Sequence, residues 1–253
     1  MFLSGASGIS VKKRIDAKNG TAGEQHHAVF NINIEEQHHA VFNINIGAAG
    51  SDDGMLKPGQ FLISFDPFDQ YRKTATWERL PYIIGNVDGK QDFTVNNVFP
   101  MCSSLNPINM QTHQAVRDSS ACATPQQGQW KNFLDCVDTS SLETRQLDSV
   151  RISTFLRQRG IQKIGSLKID AQGSDFAIVR DVMEMVPKVH IQQITLECQK
   201  YDMAGPTRQI YAVDNDCNNI IPYLKAKNPS YVVSEAFNNC EIAEYNIVFT
   251  DSR

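Results

Sequence analysis

A mostly parallel α/β sheet is the fold class this sequence predicts. Three observations predict it. Short runs of β-branched and aromatic residues alternate with stretches of helical periodicity. The first clean strand runs straight into a loop of glycines and alanines. Two later strands each end in an aspartate followed by a turn. The chain has 253 residues, 41% hydrophobic and 21% charged. That suffices for one large domain with a sizeable core.

Residues 1–23 are rich in Gly, Ser, Ala and Lys and read as a flexible leader. The remainder, 24–253, reads as a single domain. It begins with an exact tandem duplication, EQHHAVFNINI at Glu24–Ile34 and again at Glu36–Ile46. Two copies at so short a period do not make a solenoid. Only the second copy leads into the glycine loop, so Ala40–Ile46 is the expected first strand. Further strands are expected at Gln60–Phe65, Tyr82–Val87, Ser166–Ile169, Gln192–Cys198, Tyr231–Ala236 and Glu244–Thr250. The last two are joined tightly and should be antiparallel. Helical periodicity marks Ser153–Arg159, Asp175–Val186 and Thr207–Lys225. Between Gly50 and Phe61 there is room for only a stunted first helix. Residues 90–150 are rich in Asn, Gln, Ser and Thr and read as an insertion, of the kind that caps a substrate site.

The bulk numbers narrow the function classes. A net charge of −4 and a pI near 5.9 lack the basic footprint of a nucleic-acid binder. No run approaches the roughly 18 apolar residues of a membrane span, and Met1–Ser10 does not read as a signal peptide. A cytoplasmic, soluble protein is the expectation. The six cysteines form no C-x-x-C pair, so reduced thiols are expected rather than a zinc or redox site. The pairs His26-His27 and His38-His39 are copies of one another. Neighbours on a strand point to opposite faces, which argues against a metal site there. His113 could serve as a base only if the insertion folds over the site, and Trp130 could line an acceptor pocket.

Three motifs carry chemistry. Gly47-Ala48-Ala49-Gly50 follows the first strand, and its small residues allow a ligand close to the backbone. Alanine at position 49 removes the middle glycine of a dinucleotide fingerprint, which counts against a pyrophosphate. Asp66 ends the second strand, where a carboxylate can accept hydrogen bonds from both hydroxyls of a ribose; the Asp-Pro pair also suits a helix start. Leu167–Asp175 is an apolar strand ending at Asp170, a turn at Gly173 and a helix start. Ligands of open parallel sheets sit at the carboxyl ends of the strands, so Gly47, Asp66 and Asp170 should share one crevice.

In this order the motifs resemble the FkbM family of S-adenosylmethionine-dependent methyltransferases, over roughly Ala40 to Thr250. Leu167-Lys-Ile-Asp-Ala-Gln-Gly173 carries most of the resemblance. Ile84–Gly89, Cys102-Ser-Ser-Leu105 and Leu196-Glu-Cys198 add to it. The resemblance implies a Rossmann-like methyltransferase fold, with a mostly parallel seven-stranded sheet, an antiparallel last strand and helices on both faces. It implies methylation of a hydroxyl on a sugar or small hydroxylated metabolite, so the expected partner is a small-molecule or glycan acceptor. S-adenosylmethionine would contact Asn45, Gly47, Ala48, Gly50, Asp66, Ser104 and Asp170. Asp170 and Glu197 would act on the acceptor. A divalent ion between these two carboxylates suits hard oxygen ligands, but no ligand spacing supports one. The sequence departs from the family pattern at Asn45 (usually Asp), Asp66 (commonly Glu), Ile152-Ser153 (Leu-Asp) and Gln172 (commonly Glu). Two other readings stand beside this one: an NAD(P)-dependent oxidoreductase on a related sheet, and a non-catalytic binding protein that keeps the fold.

Overall fold

A computed structural model describes residues 41–47, 55–98, 100–106, 109, 139–201, 211, 213–239 and 244–253. The leader, the first copy of the duplication, all four paired histidines, His113 and Trp130 lie outside the described residues. The second copy supplies β1 (Val41–Ile46), which is followed by β2 (Gln60–Phe65), β3 (Arg72–Lys73), β4 (Trp77–Leu80), β5 (Ile83–Ile84) and β6 (Gly89–Asn96). Then come β7 (Leu142–Val150), α1 (Ile152–Gln158), β8 (Lys163–Ile169), α2 (Asp175–Met183) and β9 (His190–Gln199). The chain closes with α3 (Cys217–Lys227), β10 (Tyr231–Asn239) and β11 (Glu244–Asp251).

The main sheet has eight strands in the order β10-β11-β9-β8-β1-β2-β4-β3. Its centre is parallel: β1 pairs with β2 and β8, β2 with β4, and β8 with β9. The last strand, β11, runs antiparallel to both β9 and β10, and so lies between them. The expected seven strands are therefore corrected to eight, with β3 added antiparallel at the edge. The expected third strand is also corrected. Tyr82–Val87 does not join this sheet; Trp77–Leu80 takes that place, while Ile83–Ile84 pairs with β7 in a second, three-stranded sheet ordered β5-β7-β6. An apolar run announces Tyr82–Val87, whereas β4 hides behind the charges of Glu78 and Arg79. The region 90–150 holds most of β6 and all of β7, which pair antiparallel from Gly89 opposite Ser149 to Asn96 opposite Leu142.

The central strands are buried, as a parallel sheet covered on its faces requires. Ile44, Leu167, Ile194 and Leu196 are fully buried, and Phe65 packs edge-on against Phe155 of α1. Two asparagines interrupt the apolar run of β1. Asn43 donates its carboxamide to Gln60 Oε1 at 2.7 Å and to the Met55 carbonyl. The three described helices touch as one layer: α1 contacts α2, and Tyr223 of α3 meets Phe176 of α2 edge-on. Helices on a second face, as expected from the resemblance, are not among the described residues. The helix α2 stops at Met183, short of the expected Val186, because Pro187 follows closely. The helix α3 starts at Cys217 rather than near Thr207, because Asp216 caps it by accepting the Asn218 amide at 3.0 Å.

Cys198 at the end of β9 is disulfide-bonded to Cys217 at the start of α3, with Cα atoms 5.2 Å apart. Cys102 is also disulfide-bonded. The expectation of reduced thiols is corrected: none of the described cysteines is free.

Candidate active site

The carboxyl ends of β1, β2 and β8 open onto a cavity of about 380 Å³, closed on its far side by β5, β6 and Pro100–Leu105. That volume lies in the range of small-molecule sites, roughly 300–1,000 Å³. Gly47, Asp66 and Asp170 all line it, so the structure brings the three motifs together. Parallel neighbours in near register end at the same level. Ile46 pairs with Phe65 on one side and Ile169 on the other, which sets the three following residues side by side.

Gly47 sits at φ +78°, a conformation glycine adopts readily. Its amide donates to the Phe65 carbonyl at 3.1 Å, and the Asp170 amide donates to the Ile46 carbonyl at 3.0 Å. The loop thus leaves β1 pressed onto the Asp170 backbone. Ala48 and Gly50 lie outside the described residues.

Asp66 begins a turn instead of a helix. Its Oδ1 accepts the Phe68 amide at 2.9 Å, an Asx turn that orients the carboxylate at the cavity wall. The turn presents Phe68, which is 44% exposed and meets Phe93 edge-on at 6.0 Å. With Ile83 and Ile84 these rings make an apolar wall opposite the acidic groups. Nothing in the sequence pointed to Phe93, which reaches the site only because β6 folds back over it.

Asp170 receives two partners. The Gln172 carboxamide donates to its Oδ1 at 3.0 Å, and Lys168 Nζ lies 3.5 Å from its Oδ2. Ser104 and Asn45, both expected to contact a cofactor, lie elsewhere. Asn45 is buried within β1 and Ser104 is buried beneath the loop; neither lines the cavity. Ser104 instead donates its hydroxyl to the Gln172 carbonyl at 2.6 Å, while its neighbours Ser103 and Leu105 form the wall.

Glu197 is set apart from the cavity, in a small pocket with Gln172, Tyr211 and Glu244. Burial, then the charges of Glu244, Asp170 and Asp175, push its carboxyl up to about 10. Asp175, fully buried at the start of α2, is pushed well up by burial and by Asp170, although its Oδ1 accepts the Glu197 amide at 3.3 Å. Near neutral pH Glu197 is a neutral acid. Above the ordinary glutamate value the unfolded chain releases a proton that the folded chain keeps, so stability falls as pH rises from about 4.5 towards 10. Glu197→Gln is expected to flatten that slope. Denaturant midpoints measured from pH 5 to pH 9 check it, and an unchanged slope would remove Glu197 as its source. Among the described residues, no group of three or more His, Cys, Asp or Glu side chains could hold a metal ion.

No helix among the described residues is long and apolar enough to cross a membrane. Comparisons with curated proteins and with solved structures found no match. The model of the methyltransferase FkbM domain matches residues 54–231. That span runs from the segment before β2 to the start of β10, covers most of the chain and carries two of the three motifs that share the crevice, so the chain belongs to the FkbM methyltransferase family.

Proposed function

We propose that this methyltransferase uses S-adenosylmethionine to methylate a hydroxyl on a sugar or small hydroxylated metabolite. The observation that carries this reading is the single cavity bounded by Gly47, Asp66 and Asp170 at the carboxyl ends of three adjacent parallel strands. Its chemistry fits the cofactor. Asp66 offers a carboxylate to a ribose diol, and the exposed face of Phe68 with Ile83 and Phe93 suits a flat base. When bound, S-adenosylmethionine supplies a methyl group on a positively charged sulfur. Asp170 orients the acceptor hydroxyl and takes its proton as the oxygen is methylated. Glu197, held neutral and off the cavity wall, is left out of the proton transfer in this reading.

Calorimetric titration with S-adenosylmethionine tests the reading. The wild type gives a saturable isotherm. Asp66→Asn keeps an oxygen for the Phe68 amide but loses the charge. Hydrogen bonds to a charged group are worth about 1.5–3 kcal/mol, so affinity falls roughly 10- to 100-fold. Absence of wild-type binding, or equal affinity in the variant, sinks the proposal.

The disulfides favour an oxidising compartment over the cytoplasm that the sequence led us to expect. Alkylation of Cys198 and Cys217 in native preparations without prior reduction would contradict this.

A further inference from the structure

Gln172 is the one non-glycine residue among those described with a left-handed backbone, at φ +49°. Everything around it holds that conformation. Its carbonyl accepts the Ser104 hydroxyl at 2.6 Å and the Asn106 carboxamide at 3.4 Å. The next residue, Gly173, has φ +90°, and the ring of Tyr211 occupies the space where a Cβ would stand, 2.8 Å away. A side chain at 173 would push Tyr211 off. Residues in sparsely populated backbone regions persist only where their surroundings over-determine them, and they cluster at functional sites.

The side chain shows what the conformation achieves. Tyr211 donates its hydroxyl to Gln172 Oε1 at 2.8 Å, and Gln172 Nε2 donates to Asp170 Oδ1 at 3.0 Å. The direction of this chain is forced. A carboxylate oxygen accepts, so the amide presents its NH2 to Asp170 and its oxygen to the Tyr211 hydroxyl. A buried tyrosine thereby fixes the rotation of a carboxylate on the cavity wall through one amide. The groups around this chain are Lys168 beside Asp170 Oδ2, and the acids Asp175, Glu197 and Glu244. Lys168 and Asp170 are partly exposed, at 39% and 27%, so their contact is screened and fixes little. Gln172 is the partner with a defined direction.

We propose that Gln172 is a positioning residue. Its carboxamide, locked between Tyr211 and Asp170, turns the Asp170 carboxylate toward the acceptor hydroxyl. The proposal rests on the reading that Asp170 faces the acceptor.

Two measurements on the full chain test it. The first needs no ligand. In nuclear magnetic resonance spectra, the Gln172 side-chain NH2 signals are expected to shift in Asp170→Asn and in Tyr211→Phe, and to exchange with water more slowly than those of Gln158 at the end of α1. Signals indifferent to Asp170→Asn overturn the proposal whether or not an acceptor is known. The second uses Gln172→Asn, which tolerates a left-handed backbone but is too short to reach both partners. Its affinity for S-adenosylmethionine is expected to stay within about threefold of wild type. Transfer of tritiated methyl to a panel of hexoses and polyols falls roughly 100-fold, the cost of a misplaced reacting group. Wild-type transfer by Gln172→Asn overturns the proposal. If the wild type does not bind S-adenosylmethionine but the signals shift, the cofactor reading fails and the Tyr211–Gln172–Asp170 chain stands.

Discussion

Gly47→Ala is expected to destabilise the protein by about 2–5 kcal/mol and to abolish binding in the cavity. Two costs add. A left-handed backbone with a Cβ costs about 1–2 kcal/mol, and forcing an atom into a packed place costs about 1–3 kcal/mol. The new Cβ would stand 1.9 Å from the Asp170 carbonyl oxygen, which is backbone and cannot rotate away. Either β1 or β8 must shift, and both carry walls of the site. Gly160→Ala separates the two costs. Gly160 also has positive φ, at +62°, but nothing lies within 4 Å of its Cβ position. Only the first cost should appear there. Thermal melts of the two variants, with S-adenosylmethionine titrations alongside, make the comparison. Equal melting temperatures would mean that the loop after β1 does not press on Asp170.

Arg159→Met is expected to cost about 3–5 kcal/mol, as removal of one partner of a buried ion pair does. Arg159 and Glu78 are each 3% exposed and meet in two contacts, at 2.9 Å and 3.3 Å. The guanidinium also lies over the Phe155 ring, 5.0 Å from its centre. Without it, Glu78 still accepts the Tyr71 hydroxyl at 3.2 Å but has lost its countercharge. The charge would then be buried with too little to balance it. The double variant Arg159→Met with Glu78→Leu should recover most of the loss, because apolar groups of similar volume often replace such pairs at little cost. Denaturant unfolding of the two single variants and the double variant completes the cycle. Additive losses would show that the pair does not hold β4 against the end of α1.

The same pair explains why β4 was illegible in the sequence. Trp-Glu-Arg-Leu reads as a surface segment, and its glutamate is buried only because an arginine 81 residues later arrives beside it. Tyr82–Val87, with its apolar run, read as the better strand. Apolar content reports burial but not which sheet a strand joins, and Ile83–Ile84 is buried under a different one. By contrast β1, β2, β8, β9, β10 and β11 were all legible. Each is a β-branched or aromatic run bounded by turns, and neighbours in the sheet require nothing else. The disulfide was hidden for the reason that hid the ion pair. Cys198 and Cys217 show no motif, and they meet only because α3 begins where β9 ends.

At the site, the sequence by itself determined which residues end the strands. Gly47, Asp66 and Asp170 each stand one position past a run of strand formers, and a parallel sheet aligns such ends. That is a one-dimensional property, carried by local propensity and by the hydrophobic pattern. Tertiary structure alone decided the rest. It buried Asn45 inside a strand covered on both faces, and it engaged the Ser104 hydroxyl with the Gln172 carbonyl. It moved Glu197 behind the wall and pushed its carboxyl up, through burial first and then through acids from other elements. It brought Phe93 to the crevice and Tyr211 behind it from distant segments, and made Gln172 the link between Tyr211 and Asp170. Desolvation, charge coupling and hydrogen-bond direction depend on what folds alongside a residue, and no spacing along the chain records that.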